Sequence, residues 1–372
     1  MYFLAIETSC DETSLAVLEY SGKPIENTSF IASLSSCRTL SSIIASQADI
    51  FAKYGGVIPE ISARNHASQI FELFALLMVQ LEQEHGISQD TLLASLEAIF
   101  VTTTPGLASA LRVGHEFAKV IAAFSPSKPL VIPTDHLRGH IASCFVNPRY
   151  FENINPFPHL HLLVSGGNTQ ILHFDNWSES QIVAQTQDDA AGECLDKGGR
   201  MLGIPYPAGP KIGKIAGART DNPLDLPISM KSSEHLNFSY SGLKTAMRNQ
   251  VAKCGVAGVV YEQQLTQDEL HTLYAAAGNP VGLTPKLAWV QSAAISLQTV
   301  VVSQLINQFK KQLIRYPNIS SIGLSGGVSA NIVLRTRFER LHEHVFICEQ
   351  KLSGDNAEMI GLAGIADRFI SN

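Results

Sequence analysis

His136 and His140 stand four residues apart in the stretch TDHLRGH, residues 134–140. On a helix that spacing puts both imidazoles on one face, where they can address one object. A divalent metal is one such object, because neutral imidazole is a common ligand. Two ordinary histidines, one at a helix end and one exposed, are the plainer alternative. The intervening residues are Leu137, Arg138 and Gly139. The stretch is therefore not the H-E-x-x-H of zinc proteases and lacks their general base, which disfavours peptidase chemistry. A metal site would need further ligands from elsewhere in the chain. Asp11 and Glu12, adjacent in ETSCDETS, are a second candidate pair. Neighbouring carboxylates can accept a proton from an amine or orient a metal-bound group; a solvated acidic turn is the bland reading.

A third feature is glycine. Gly166–Gly167 and Gly326–Gly327 each follow an apolar run and a serine. Glycine lets the backbone reach positive φ and approach a ligand, and successive exposed N–H groups make an anion-binding concavity. A helix starting near Ser329 would add its dipole. One such turn is weak evidence. Three strand-end turns rich in Ser, Thr and Gly suggest a shared nucleotide or phosphate cleft. Neither G-x-x-x-x-G-K-[ST] nor G-x-G-x-x-G occurs, which disfavours the P-loop and Rossmann solutions.

The elements that must position these residues alternate. Apolar Tyr2–Ile6 and Leu15–Leu18 flank the first turn, and the same strand–turn–strand grammar returns in HLHLLVSGGNTQILHF, residues 159–174. Two similar hairpins half a chain apart predict a duplicated architecture. Helical spacing marks residues 66–85, 107–123, 287–315 and 356–370. Strands alternating with helices predict α/β layers. Residues 217–285, rich in Pro, Asn, Ser and Gln, read as an insertion of loops and short helices.

Composition limits the function classes. The 372 residues are 45% hydrophobic and 16% charged, which describes a globular chain long enough for two domains. A net charge of −6 argues against a broad basic surface of the kind that binds nucleic acid unaided. The six cysteines form no C-x-x-C pair and read as reduced thiols. No apolar run approaches a membrane span, and MYFLAIE runs straight into a strand with no leader. The expectation is a cytoplasmic protein without membrane partners.

Duplicated hairpins facing a phosphate are used by the sugar-kinase, chaperone and actin superfamily. Eight stretches occur here in order: IETSCDETS (6–14), YGGVIPEISARNH (54–66), DHLRGH (135–140), LLVSGGNTQ (162–170), DDAAGECLDKGGRMLG (188–203), FSYSGLKTA (238–246), LSGGVSAN (324–331) and GDNAEMIGLAG (354–364). Together, over about residues 1–370, they resemble the TsaD family, the catalytic subunit of tRNA threonylcarbamoyladenosine synthase. The chain departs from the family pattern at Phe51, where a histidine is usual, at Thr104, where a glycine is usual, and at Asn168, where the family has Ser-Gly-Gly-His. Residues 38–48 and 248–288 look longer than usual.

The resemblance implies two actin-like, ribonuclease H-like α/β domains with a central cleft. The first would span 1–130, with helix 356–370 packing back onto it; the second would span 131–372, with an insertion at about 217–288. It implies a metal site of His136, His140 and Asp355, an arrangement that suits either Fe(II) or Zn(II), with iron favoured by the resemblance. Asp355 could equally cap the following helix. Leu163, Val164, Ser165, Gly166 and Gly167 would hold a nucleotide-like substrate, Asp196 and Gly209 its ribose, and Asn331 its base or sugar edge. The implied activity is transfer of the threonylcarbamoyl group from L-threonylcarbamoyladenylate to N6 of adenosine 37 in tRNAs reading codons that begin with A. The implied partners are tRNA, a shorter inert paralogue and a small P-loop ATPase. The competing readings are a small-molecule kinase of the same superfamily, which gives no reason for the three ligands to converge, and a non-catalytic scaffold.

Overall fold

A computed structural model describes residues 1–22, 30–146, 154–230 and 235–369. The chain divides into two compact units: Met1–His159, Phe174–Ser180 and Phe346–Asn372 form the first, Leu160–His173 and Gln181–Val345 the second. His136 and His140 lie in the first unit, beyond the division placed at residue 130 from sequence.

The first unit runs β1 (Tyr2–Glu7), β2 (Glu12–Tyr20), α1 (Phe30–Ser35), β3 (Cys37–Ser46), α2 (Ala48–Phe51), α3 (Pro59–His85), α4 (Gln89–Ser95), β4 (Leu96–Thr104), α5 (Ala108–Phe124), β5 (Leu130–Asp135) and α6 (His136–Ala142). Its sheet has the order β3-β2-β1-β4-β5. The β1–β2–β3 part is antiparallel, with Glu7 opposite Ser14, and β4 and β5 extend it in parallel. Strand alternation gives the sheet two buried faces. On one, Leu4, Ile6, Leu15, Val17, Ile99 and Val101 pack against Leu73, Leu77 and Leu81 of α3 and Phe117 of α5. On the other, Phe3 stacks on Phe100 with centroids 5.3 Å apart. Helix α3 begins at Pro59, seven residues before the periodicity placed it, because proline suits the first helical position.

The second unit continues with β6 (His159–Val164), β7 (Thr169–Phe174), β8 (Ser180–Gln185), α7 (Ala191–Met201), α8 (Ala208–Ala216), α9 (Ser241–Lys253), α10 (Gln267–Ala276), α11 (Pro285–Arg315), β9 (Ser321–Ser325) and α12 (Ile332–Phe338). After β10 (Val345–Ile347), α13 (Ala357–Phe369) returns to the first unit. The second sheet reads β8-β7-β6-β9-β10, the order of the first sheet repeated strand for strand. The expected α/β class with duplicated sheets is what the chain adopts. Residue 370, the expected last residue of the closing helix, lies outside the described residues.

Helix α11 is long and apolar enough to cross a membrane by length and composition, yet 83% of its apolar window is buried within the protein. A helix apolar on every side is a core helix when protein surrounds it. Its buried glutamines have a separate use. Gln298, Gln304 and Gln308 donate to the carbonyls of Gly217, Ser239 and Asn237. These bonds satisfy backbone carbonyls that lie outside the named helices and strands.

Candidate metal and nucleotide sites

In the first unit, α6 starts directly after β5. Asp135 caps it by accepting the Arg138 N–H at 2.9 Å. The i, i+4 spacing then brings the rings of His136 and His140 to a centroid distance of 4.8 Å. Asp355 arrives from the turn before α13. Its Oδ1 lies 3.5 Å from His136 Nε2 and 3.2 Å from His140 Nε2. One ligand atom from each of the three lies within 4.8 Å of the others. The cap of α13 is Asn356, whose Oδ1 accepts the Met359 N–H at 2.9 Å. The capping role that sequence allowed for Asp355 thus passes to its neighbour, and its carboxylate faces the histidines.

The electrostatics match the geometry. Burial alone would lower the His136 imidazole, but the charges of Asp355 and Glu7 outweigh it and hold it up at about 9. Burial alone would raise the Asp355 carboxyl, but His136 and His140 pull it down to about 2. Both ring nitrogens of His140 are buried and make no hydrogen bond of good geometry, although Nε2 lies 3.2 Å from the Asp355 carboxylate. A buried imidazole and carboxylate so placed suit a shared ligand.

Asp11 is buried and Glu12 half-buried at the start of β2. Burial raises both carboxyls, and the charges of Asp11 and Asp355 raise Glu12 further. Glu12 also accepts the Ser46 hydroxyl at 3.2 Å. The turn that carries them is fastened by residues to which sequence reasoning gave no role. His66, fully buried on α3, lies 2.7 Å from Thr13 Oγ1 and donates from Nε2 to the Cys10 carbonyl at 3.1 Å. Gly106 packs so closely on Ser9 that a Cβ would sit 2.8 Å from the Ser9 Cβ. Phe51, in place of the family's histidine, is wholly buried.

Glu7 was also missed. It is fully buried at the end of β1, with His136 Nδ1 3.0 Å from its Oε2. The available signal was an acidic residue closing an apolar strand.

In the second unit, Leu163 and Val164 end β6 fully buried, and Gly166 and Gly167 form an exposed turn. The Ser165 N–H donates to the Asn168 carbonyl at 2.8 Å, and Ser165 Oγ accepts the Asn168 N–H at 3.0 Å. Neither glycine has positive φ, and a Cβ on either meets nothing within 4 Å. The conformational reason offered for them from sequence is therefore wrong. Beside this turn, two other glycines are demanded by the backbone: Gly326, at φ 88°, and Gly192. A Cβ on Gly326 would sit 2.4 Å from the Val164 carbonyl oxygen, and one on Gly192 would sit 2.6 Å from that of Ser165.

Asp196 and Gly209 come together: Asp196 Oδ1 accepts the N–H groups of Ala208 at 2.7 Å and Gly209 at 3.1 Å, at the start of α8. Asn331 is an N-cap, accepting from Val333 and Leu334 at 3.0 and 3.1 Å while donating to Gln298 at 2.7 Å. A 3-10 turn over Gly327–Ala330 precedes α12. No α-helix starts at Ser329, because Asn331 takes the first N–H groups of the helix. Beside the glycine turn, Asp189 receives both Lys197 and Lys244 at 2.7 Å.

The family described as TsaD, tRNA N6-adenosine threonylcarbamoyltransferase, matches residues 38–362. The chain belongs to the TsaD family. Among TsaD relatives that carry the name tRNA N6-adenosine threonylcarbamoyltransferase, the protein of Lacticaseibacillus casei (strain BL23) is 36% identical over 97% of this chain and 90% of its own. That of Anaeromyxobacter sp. (strain Fw109-5) is 34% identical over 98% and 93%. That of Thermosipho africanus (strain TCF52B) is 36% identical over 98% and 93%. Of solved structures, the Acidaminococcus fermentans (R)-2-hydroxyglutaryl-CoA dehydratase component A is similar at TM-score 0.49 and 12% identity over 100% of both chains, too weak a likeness to argue from. In this TsaD-family chain the His-His-Asp cluster fits a divalent metal: two buried imidazoles and a carboxylate would leave coordination positions open for a substrate.

Proposed function

We propose that the protein is a tRNA N6-adenosine threonylcarbamoyltransferase that moves the threonylcarbamoyl group from L-threonylcarbamoyladenylate to N6 of adenosine 37. The observation that carries this reading is the convergence of His136, His140 and Asp355 in a chain of the TsaD family. A divalent ion held there, Fe(II) by preference and Zn(II) as the competitor, supplies Lewis-acid polarisation of donor oxygens.

The chain's own residues supply the rest. The raised Asp11 and Glu12 carboxyls suit acceptance of the proton that the adenine amine loses on attack. The exposed Gly166–Gly167 turn offers backbone N–H groups to a phosphate. Leu163 and Val164, with buried side chains, act only through their backbone. Asp196 and Gly209 suit ribose hydroxyls, and Asn331 the base or sugar edge. At a net charge of −6, tight binding of tRNA depends on partner subunits, a shorter inert paralogue and a small P-loop ATPase.

The test is reconstitution with those partners, unmodified tRNA and the adenylate donor, read by nucleoside mass spectrometry alongside metal analysis. Threonylcarbamoyladenosine formed by the parent and absent with His140→Ala is the expected result. A parent without product under these conditions sinks the proposal.

A further inference from the structure

The buried Glu7 carboxylate is not explained by anything above. Its strand, YFLAIE, is otherwise apolar, and its side chain has no exposure to solvent. Burying a carboxylate is costly unless donors surround it. Here three do. Ser9 N–H donates to Oε1, the Thr102 hydroxyl donates to Oε2 at 2.6 Å, and His136 Nδ1 approaches Oε2 at 3.0 Å. The Ser9 hydroxyl lies 3.3 Å from the same His136 nitrogen. The opposite ring nitrogen, Nε2, is the one that faces Asp355.

We infer that Glu7 is a positioning residue for the metal centre, holding the His136 proton on Nδ1 so that Nε2 presents its lone pair to the ion. This rests on the metal reading proposed above. The chemistry is directional. A carboxylate oxygen can only accept, so the nitrogen facing it must carry the proton, and the far nitrogen is left to ligate. The same contact fixes the ring plane. Loss of such an outer partner typically costs about tenfold to hundredfold in metal affinity.

Glutamine inverts this polarity at constant shape. With its carbonyl oxygen kept on the Ser9 N–H, its amide nitrogen must face Thr102 and His136. The hydroxyl can accept that donor, but the imidazole can do so only with its proton moved to Nε2, where it blocks ligation.

The experiment titrates metal-stripped protein with Zn(II) against a competing chelator, and with Co(II) followed by its visible spectrum. Glu7→Gln should bind Zn(II) about tenfold to hundredfold more weakly than the parent, with an altered Co(II) spectrum. Thr102→Val, which removes the other donor on the same oxygen, should stay near the parent. Equal affinity in Glu7→Gln and parent overturns the inference. So does an equal loss in Thr102→Val, which would mark the knot as packing alone. A parent that binds neither ion removes the metal reading itself, and the inference with it. Should Glu7→Gln fail to fold, nitrogen NMR of the zinc-loaded parent decides. A proton on His136 Nδ1 with Nε2 bound supports the assignment, and the reverse overturns it.

Discussion

Gly139 sits against Ile360: a Cβ on the glycine would lie 2.9 Å from Ile360 Cδ1 and 3.1 Å from Met359 Cγ. Gly139 lies between the two histidines of α6, and Ile360 lies five residues beyond Asp355. The contact therefore sets how closely the helix carrying two of the proposed ligands approaches the element carrying the third. Helix propensity favours alanine over glycine by about 1 kcal/mol, but overpacking costs about 1–3 kcal/mol. Gly139→Val should lower the melting temperature and weaken metal binding together. Parent-like zinc affinity in a folded Gly139→Val would show that this spacing is not critical.

His140→Ala removes a ring whose nitrogens make no hydrogen bond of good geometry, and with it the 3.2 Å contact of Nε2 with Asp355. We expect a zinc affinity at least about a hundredfold below the parent, beyond the range for an outer partner. Circular dichroism should show an intact fold. Equilibrium dialysis that finds one ion still bound at parent affinity would exclude His140 as a ligand.

Asp196 has a structural duty besides any ribose contact, because it caps α8 through Ala208 and Gly209. Asp196→Ala should lose about 0.5–2 kcal/mol of stability as well as nucleotide affinity. Asp196→Asn keeps an acceptor oxygen for the cap and loses only the charge. It should melt near the parent while still binding an adenylate analogue more weakly. Calorimetric titration in which Asp196→Asn binds as tightly as the parent would place the ribose elsewhere.

Two glycines separated by β7 and β8 should respond differently. Gly192→Ala drives a Cβ to 2.6 Å from the Ser165 carbonyl and 2.8 Å from Gly166 Cα, both backbone atoms that cannot swing aside. It should destabilise by about 1–3 kcal/mol. Gly167→Ala meets open space and should leave the denaturation midpoint unchanged. Any loss of adenylate affinity in Gly167→Ala then reports on the ligand. Urea denaturation of both variants checks the contrast, which fails if Gly192→Ala is neutral.

Burial alone would raise the Asp189 carboxyl, but hydrogen bonds from Lys197 and Lys244 hold it below the usual carboxylate range. A depressed folded value means that its stabilisation is fully present above the unfolded value of about 3.9. It is lost as pH falls through the folded value. Between about pH 5 and pH 2 the parent should therefore lose melting temperature more steeply than Asp189→Asn. Parallel curves would deny the lysine pair this role.

Much of the fold could be read before any coordinates, because both hairpins and the long helix α11 have strong periodicity. The His136–His140 pair was legible for the same reason: its spacing is local. What was not legible depends on distant partners. Nothing near Glu7 in the chain announces that His136, 129 positions away, will meet it. The cap that Asp196 supplies was hidden because the helix end it serves begins 12 residues later. Gly166–Gly167 looked demanding, yet the positive φ belongs to Gly326, where β9 and β6 bring two backbones together. The buried glutamines of α11 resemble a polar helix face until the irregular segment over them is known.

The first unit is built from chain on both sides of the second. The last of its three proposed metal ligands, Asp355, follows His140 by 215 positions (355 − 140). A ribosome must therefore polymerise the whole second unit before the triad can exist. Domains made in order usually fold in order during synthesis. Here the earlier one stays unfinished while the later one is complete. Loading of the proposed ion would consequently follow elongation past Asp355, and a nascent chain stalled before that codon would carry two histidines without the carboxylate that completes the cluster.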